Sequence, residues 1–245
     1  MPSEARWRRA QAYERFYWER EAARLREFAI DSPDGWYRWK ASQMEKHLAG
    51  LLPEDRKATA RVLEIGCGPV GIVSFLGWGE RHAIDPLEDF YRTQEAFSKY
   101  RDPAVRFQTA RGEWLPFDPA GFDLVILENV LDHVQAAGHL LGEIGRVLKP
   151  DGLLYFTVNV RTAWGAALHS LLALLLIDKG HPYSFTAGGI RRFLAANGLR
   201  IRRESLDEYL QARAQDRRSP SLRDKIKSYT GLSEFVFYSV CSKAP

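Results

Sequence analysis

The sequence predicts an α/β fold: a doubly wound, mainly parallel sheet with helices on both faces, preceded by an N-terminal helical cap. Three observations predict it. Apolar runs of strand length alternate with helix-length stretches between residues 61 and 158. The first run, Val62-Leu63-Glu64-Ile65, passes directly into a glycine-rich turn, Gly66-Cys67-Gly68-Pro69-Val70-Gly71. The last two apolar runs, 199–203 and 234–240, need no helix of the alternating series between them and can pair antiparallel.

Residues 1–55 read as the cap and 56–245 as the ligand-binding domain. In the first helix Tyr13, Phe16 and Tyr17 share one face, taken to pack on the main domain, while Arg and Glu alternate on the other. A turn at Ser32-Pro33-Asp34-Gly35 leads into a second helix from Trp36 to Leu52, stopped by Pro53. The two helices can also act as a lid, with Arg38 or Lys40 facing an anionic group.

After the glycine turn, residues 81–87 form a strand that ends in Asp85. Phe90–Tyr100 reads as a helix, 105–108 as a third strand and 121–130 as a fourth. The helix Leu140–Leu148 stops at Lys149-Pro150-Asp151-Gly152, and 153–158 is a fifth strand, apolar throughout. The run Ala163–Ile177 is apolar but shorter than the roughly 20 residues of a membrane span. Gln211–Lys227 is rich in Arg and Lys, as a flap or a surface helix. An apolar segment suits a lipid-like substrate and a basic flap an acidic one; as substrate cues the two conflict.

Composition narrows the function. A net charge of +4 over 245 residues does not by itself argue for nucleic acid. Cys67 and Cys241 make no disulfide framework, and no His/Cys spacing suggests zinc. Met1-Pro2-Ser3-Glu4 lacks a basic-then-apolar leader. The expectation is a cytoplasmic enzyme without a membrane span.

Two cofactor chemistries use such a turn. Gly66-x-Gly68-x-x-Gly71, with Asp85 about twenty residues on, matches the dinucleotide fingerprint. That fingerprint gives no role to Glu64, a carboxylate inside an apolar strand that needs partners, either backbone N–H groups of the loop or a ligand carrying donors.

In order, the chain carries Glu64-x-Gly66-x-Gly68, Asp85, Leu115-Pro116-Phe117, Phe122-Asp123-Leu124-Val125 and Val147-Leu148-Lys149-Pro150-Asp151-Gly152. This series resembles small-molecule class I S-adenosylmethionine (SAM)-dependent methyltransferases, the group that includes the ubiquinone and menaquinone biosynthesis methyltransferases. The resemblance implies a Rossmann-like, seven-stranded sheet whose last strand is antiparallel. It implies that Gly66, Cys67 and Gly68 pass close to the methionine part of SAM, with Glu64 acting directly or through the loop. Asp85 would take the ribose hydroxyls, Leu87 and the backbone at Gly112 and Glu113 the adenine, and Glu128 and Asn129 would lie near the transferred methyl. Arg111 and Gly112 stand where such enzymes often carry Asp-Ala, so the acid that accepts from the adenine amino group is replaced.

The acceptor side is read from position. His133, past the fourth strand, shares a face with Asn129 if a helix begins there. His181 and Tyr183 precede a helix that Thr186 can cap; in the resembled enzymes the loop after the fifth strand walls the substrate pocket. His133 and His181 are the candidate bases, Tyr183 and Arg38 the candidate substrate contacts, and no metal is expected. The function implied is methyl transfer to oxygen or nitrogen of a small molecule. Two alternatives stay open: a nucleic-acid methyltransferase, although Glu128-Asn129-Val130-Leu131 is not the Asn/Asp-Pro-Pro-Tyr of DNA amino-methylating enzymes, and a non-catalytic binding protein of the same fold.

Overall fold

The computed structural model describes residues 4–28, 33–174 and 183–244. Helices α1 (Glu4–Phe28), α2 (Pro33–Leu48) and α3 (Glu54–Lys57) precede β1 (Arg61–Ile65). A 3-10 turn, Ile72–Phe75, leads to β2 (Glu80–Asp85). Short helices α4 (Glu88–Tyr91) and α5 (Glu95–Ser98) follow, then β3 (Arg106–Thr109), β4 (Phe122–Glu128), α6 (Ala137–Val147) and β5 (Leu148–Val160). The chain continues through α7 (Ala163–Leu174), α8 (Ala187–Ala196), β6 (Leu199–Leu206), α9 (Tyr209–Arg218), α10 (Leu222–Thr230) and β7 (Phe235–Lys243).

The sheet has seven strands in the order β3-β2-β1-β4-β5-β7-β6. Strands β1 to β5 pair in parallel, Ile65 lying beside both Ile84 and Leu127. Strand β7 inserts antiparallel between β5 and β6, with Leu154 opposite Cys241 and Val158 opposite Phe237. An all-parallel dinucleotide sheet would run 3-2-1-4-5-6 instead.

Alternation along the strands splits the core in two. Leu63, Ile65, Val125, Leu127, Leu154 and Phe156 face α6 and α8. Val62, Leu124, Ile126, Leu153 and Tyr155 face the other side, under Met44 and Leu48 of α2 and Phe97 of α5. Helix α2 is therefore part of the sheet's own core. Helix α6 buries Leu140, Leu141, Ile144 and Val147, and Thr186 Oγ1 caps α8 by accepting from Gly189 N–H at 3.1 Å.

Four expectations change. On α1, Tyr13, Phe16 and Tyr17 are the exposed face; Trp7, Gln11, Glu14 and Trp18 point inward, toward a cavity. A helix that borders a polar cavity does not need its inner face to be the apolar one, so periodicity alone selects the wrong side. The helix expected over 90–100 is two single turns, with Gln94 extended between them (φ −94°, ψ 99°) and the Thr93 hydroxyl donating to Phe90 O. Strand β5 begins five residues early, because Leu148 pairs with Phe122 across a bulge. The second helix stops at Leu48 instead of Leu52, while of the flap and surface-helix readings of 211–227 the helical one stands, as α9 and α10.

Candidate active site

The C-terminal ends of β1, β2 and β4 open into a cleft enclosing about 1010 Å³ of empty space, the solvent at its mouth included. This is where a doubly wound sheet places its ligand. Helices α1 and α2 supply the opposite wall, through Trp7, Trp18, Tyr37 and Lys40.

The floor is the glycine turn. Gly66 and Gly68 have φ of +70° and +59°, a region that side chains rarely adopt. A Cβ on Gly66 would lie 2.4 Å from Val130 Cγ2, so the backbone and Val130 close on each other. The turn is pinned by its own amides: Gly66 and Cys67 N–H both donate to Ile84 O, and Gly68 N–H to Asp85 Oδ2 at 3.0 Å. Asp85 Oδ1 accepts from Leu87 N–H at 2.8 Å. Asp85 thus both ties the turn to β2 and caps the chain past Pro86. Burial pushes its carboxyl up to about 6, against the pull of the Leu87 and Gly68 amides.

Glu64 is buried and its Oε2 accepts from Val73 N–H at 3.0 Å. Burial pushes its carboxyl up to about 7, opposed by the Val73 and Ile72 amides. These two N–H groups open the 3-10 turn, where a dinucleotide fold presents donors to pyrophosphate. Here a carboxylate already takes them. The cleft lining carries Glu14, Glu64, Asp85, Glu113 and Glu128 against Lys40 and Arg111. That balance suits a cationic ligand and repels a pyrophosphate.

Arg111 lies at the other end. Its guanidinium carbon stands 3.8 Å from the Trp7 ring centre and 4.7 Å from that of Trp114, and Nη2 donates to Gln135 Oε1 at 2.9 Å. In place of an acid, this position carries a cation stacked under α1. Gly112 has its own reason: a Cβ there would lie 2.7 Å from Leu140 Cδ1 and 2.8 Å from Ile65 Cγ2. The Glu113 carboxylate accepts from Gln135 and Ala136 N–H, at 2.8 and 3.3 Å, and so holds the approach to α6.

At the β4 exit Lys40 Nζ meets Glu128 Oε2, and Thr157 Oγ1 donates to Glu128 Oε1 at 3.3 Å. Asn129 is left-handed (φ +56°), held by its N–H to Thr157 O and by Asn159 N–H to its Oδ1. Lys40, Glu128 and Asn129 also border a second cavity, walled by Trp36, Trp39, Tyr155 and Tyr238. Trp36 and Trp39 stack at 5.2 Å, and Lys40 Nζ lies 4.8 Å from the Trp36 ring centre.

The structure brings Glu64, Gly66, Cys67, Gly68, Asp85, Leu87, Gly112, Glu113, Glu128, Asn129 and His133 to the one cleft. His133 arrives on a turn, closed by its N–H to Val130 O at 2.9 Å; α6 starts only at Ala137. Arg38 lies over the Phe75 ring and lines neither cavity; Lys40, two residues on, lines both. Tyr183 also lines neither: it donates to Gln135 O at 2.8 Å and stacks on Phe185. His181 lies outside the described residues. Sequence reasoning missed Trp7, Gln11, Glu14 and Trp18, whose spacing of four, three and four was the available signal. Nothing local marked Tyr155 or Tyr238.

The sequence pattern of the methyltransferase domain family matches residues 63–156, which span β1 to β5 and carry the turn, Asp85 and Glu128. The chain carries a methyltransferase domain of the class I SAM-dependent kind. Among curated relatives of this chain, the ubiquinone biosynthesis O-methyltransferase of Caulobacter vibrioides is 31% identical over 126 residues, 46% of this chain and 49% of that one. A thiol S-methyltransferase of Rattus norvegicus is 32% identical over 120 residues, again 46% and 49%. The chain spans between 38% and 63% of the length of the curated relatives it matches. Among solved structures, the Burkholderia thailandensis 1,6-didemethyltoxoflavin-N1-methyltransferase, with bound 1,6-didemethyltoxoflavin and S-adenosylhomocysteine, has the same fold: TM-score 0.58 at 16% identity, over 100% of this chain and 92% of that one.

Proposed function

We propose that this chain transfers the methyl group of SAM to an oxygen or nitrogen of a small molecule, in the cytoplasm. The carrying observation is the acid-lined cleft in which Glu64 takes the amides of the turn at Ile72 and Val73. It leaves a backbone-floored, anionic site for a ligand bearing an ammonium and a sulfonium. Gly66, Cys67 and Gly68 would face its methionine part. The remaining lone pairs of Asp85 would accept from the ribose hydroxyls, and Leu87, Gly112 and Glu113 would flank the adenine, with Arg111 and Trp7 over it. Residues 1–55 serve as the roof and 56–245 as the SAM-binding domain.

When bound, SAM supplies an activated methyl group and a neutral thioether leaving group. The chain's task is to hold the acceptor in line at about 3 Å and exclude water. The second cavity, which shares Lys40, Glu128 and Asn129 with the first, is the acceptor site in this reading. Its aromatic walls favour a flat or apolar acceptor. Lys40, Glu128 and Asn129 would hold the acceptor heteroatom in line with the methyl group that SAM would supply. The proton of an acceptor hydroxyl passes to a base, for which His133 and Glu128 are the groups at hand; a neutral amine needs none before attack. His181 remains a candidate base for the acceptor side, whereas Tyr183 and Arg38, which line neither cavity, take no acceptor contact in this reading. The relatives act at oxygen, sulfur and nitrogen by their names; a polar junction between a Lys and a Glu favours an acceptor that hydrogen-bonds.

Calorimetric titration with S-adenosylhomocysteine, with NAD in parallel, tests the cofactor assignment. Micromolar binding of the former alone is expected, and binding of NAD alone overturns it. Methyl transfer from labelled SAM to a panel of phenols, amines and thiols then tests the acceptor.

A further inference from the structure

We propose that helices α9 and α10, with the start of α7, dock this chain peripherally onto an anionic lipid surface. The inference is independent of the methyltransferase reading.

Helix α10 is amphipathic in an unusual sense. Its protein side is polar: Ser228 is buried, and Arg213 of α9 donates to Ser228 O at 2.7 Å. Its outer side is apolar. Leu222, Ile226 and Tyr229 are spaced four and three apart, on one narrow arc, and are 73%, 52% and 70% exposed. Arg223 and Lys225 flank that arc on its two sides, both exposed. Arg217 of α9 lies 5.2 Å from the Tyr229 ring centre, so the face of α9 that carries Leu210 (72% exposed) adjoins this arc. Trp164 of α7, 66% exposed, donates its indole N–H to Thr230 O and continues the ridge past the end of α10.

Charge complementarity selects the occupant. Residues 209–230 hold six cations against Asp216 and Asp224; Lys227 pairs with Glu234 and Arg213 turns inward to Ser228 O, which leaves Arg217, Arg218, Arg223 and Lys225 exposed. Asp224 is engaged with Ser219 and sits at the capped helix start. The cations rim the apolar residues instead of occupying their centre. A nucleic acid asks for the reverse, cations under the phosphates with polar or stacking groups between them. A peptide partner asks for a groove or a sheet edge, whereas these side chains stand out from the surface. A projecting apolar ridge with cations at its rim, and an indole at one end, is the form that inserts among anionic headgroups. Trp164, at the start of the apolar run, and the basic 211–227 segment, contradictory as substrate cues, meet on one surface.

The test is sedimentation of the full chain with vesicles of phosphatidylcholine alone and of phosphatidylcholine mixed with phosphatidylglycerol. Partition about tenfold or more into the mixed vesicles is expected, weakening as salt is raised. Leu222→Asp with Ile226→Asp should abolish it with every cation in place. Arg223→Glu with Lys225→Glu should abolish the preference for the anionic lipid. An unchanged thermal unfolding midpoint shows that these surface variants fold. Three results overturn the proposal: no partition of the unaltered chain into mixed vesicles, equal partition of the Leu222→Asp/Ile226→Asp variant, or a dimer in light scattering that this variant dissolves. Retention of a single-stranded oligonucleotide without vesicle binding also overturns it and assigns the surface to nucleic acid.

Discussion

Lys40 and Glu128 form an ion pair at the junction of two cavities, with side chains only 16% and 15% exposed. They come from α2 and the end of β4, 88 positions apart in the chain. Breaking one half of a pair this buried leaves the other charge unmatched. Lys40→Met is expected to cost about 3 kcal/mol of stability, and to lower methyl-transfer rate more than affinity for S-adenosylhomocysteine. Urea unfolding and a comparison of kcat with KM check this. An unaltered kcat would make the pair purely structural.

Asp85→Asn should weaken S-adenosylhomocysteine binding about 10- to 100-fold, the loss of one or two hydrogen bonds to a charged acceptor. It keeps the shape of the side chain but only one acceptor oxygen, so the Gly68 or Leu87 N–H loses its acceptor and the thermal midpoint should fall, by the equivalent of about 1–3 kcal/mol. Calorimetry reads the first effect and a melting curve the second.

The pH dependence follows from burial. The ligand-free folded chain holds protons on Glu64 up to about 7 and on Asp85 up to about 6, against ordinary values of 4.5 and 3.8. Folded protein therefore binds more protons than unfolded protein in this window. These two groups make stability greatest below about pH 4 and withdraw it as pH rises through 6 and 7. Affinity for SAM should run the other way, rising over the same interval as the carboxylates ionise. Titrations at stepped pH test it, and Asp85→Asn should remove the lower of the two steps.

Gly112→Ala places a methyl group 2.7 Å from Leu140 Cδ1 and 2.8 Å from Ile65 Cγ2. Overpacking of this kind costs about 1–3 kcal/mol. Adding Leu140→Val to Gly112→Ala should recover part of the loss. Gly66→Ala should be at least as costly, since the Val130 clash is compounded by φ +70°. No second-site truncation at Val130 should fully restore it. Thermal unfolding of the single and double variants decides both.

Trp7→Ala removes the ring that Arg111 stacks on and opens the α1 side of the cleft. Affinity for S-adenosylhomocysteine should fall while the sheet keeps its stability, because Trp7 belongs to neither half of the core. Titration alongside urea unfolding separates the two. Tyr17→Ala, on the exposed face of the same helix, should change neither.

Much of this protein was legible in the residues themselves. The turn at 66–68 needs positive φ, the acid inside β1 needs donors, and the acid ending β2 needs a use; each requirement is local, so each can be read from a few neighbouring letters. Thr186 as a cap and the antiparallel ending are legible for the same reason. Periodicity, by contrast, reports which side chains share a face and not what that face meets. It could not tell that α1 turns Gln11 and Glu14 inward, or that Lys40 reaches the site where Arg38 does not. The aromatic cavity unites α2, β4, β5 and β7, segments as far apart as Trp36 and Tyr238. The outward apolar arc of α10 beside its flanking cations also exists only once the chain is packed. Local letters determine backbone conformation and the buried charges; only tertiary packing decides which distant side chains converge and which apolar ones stay outside.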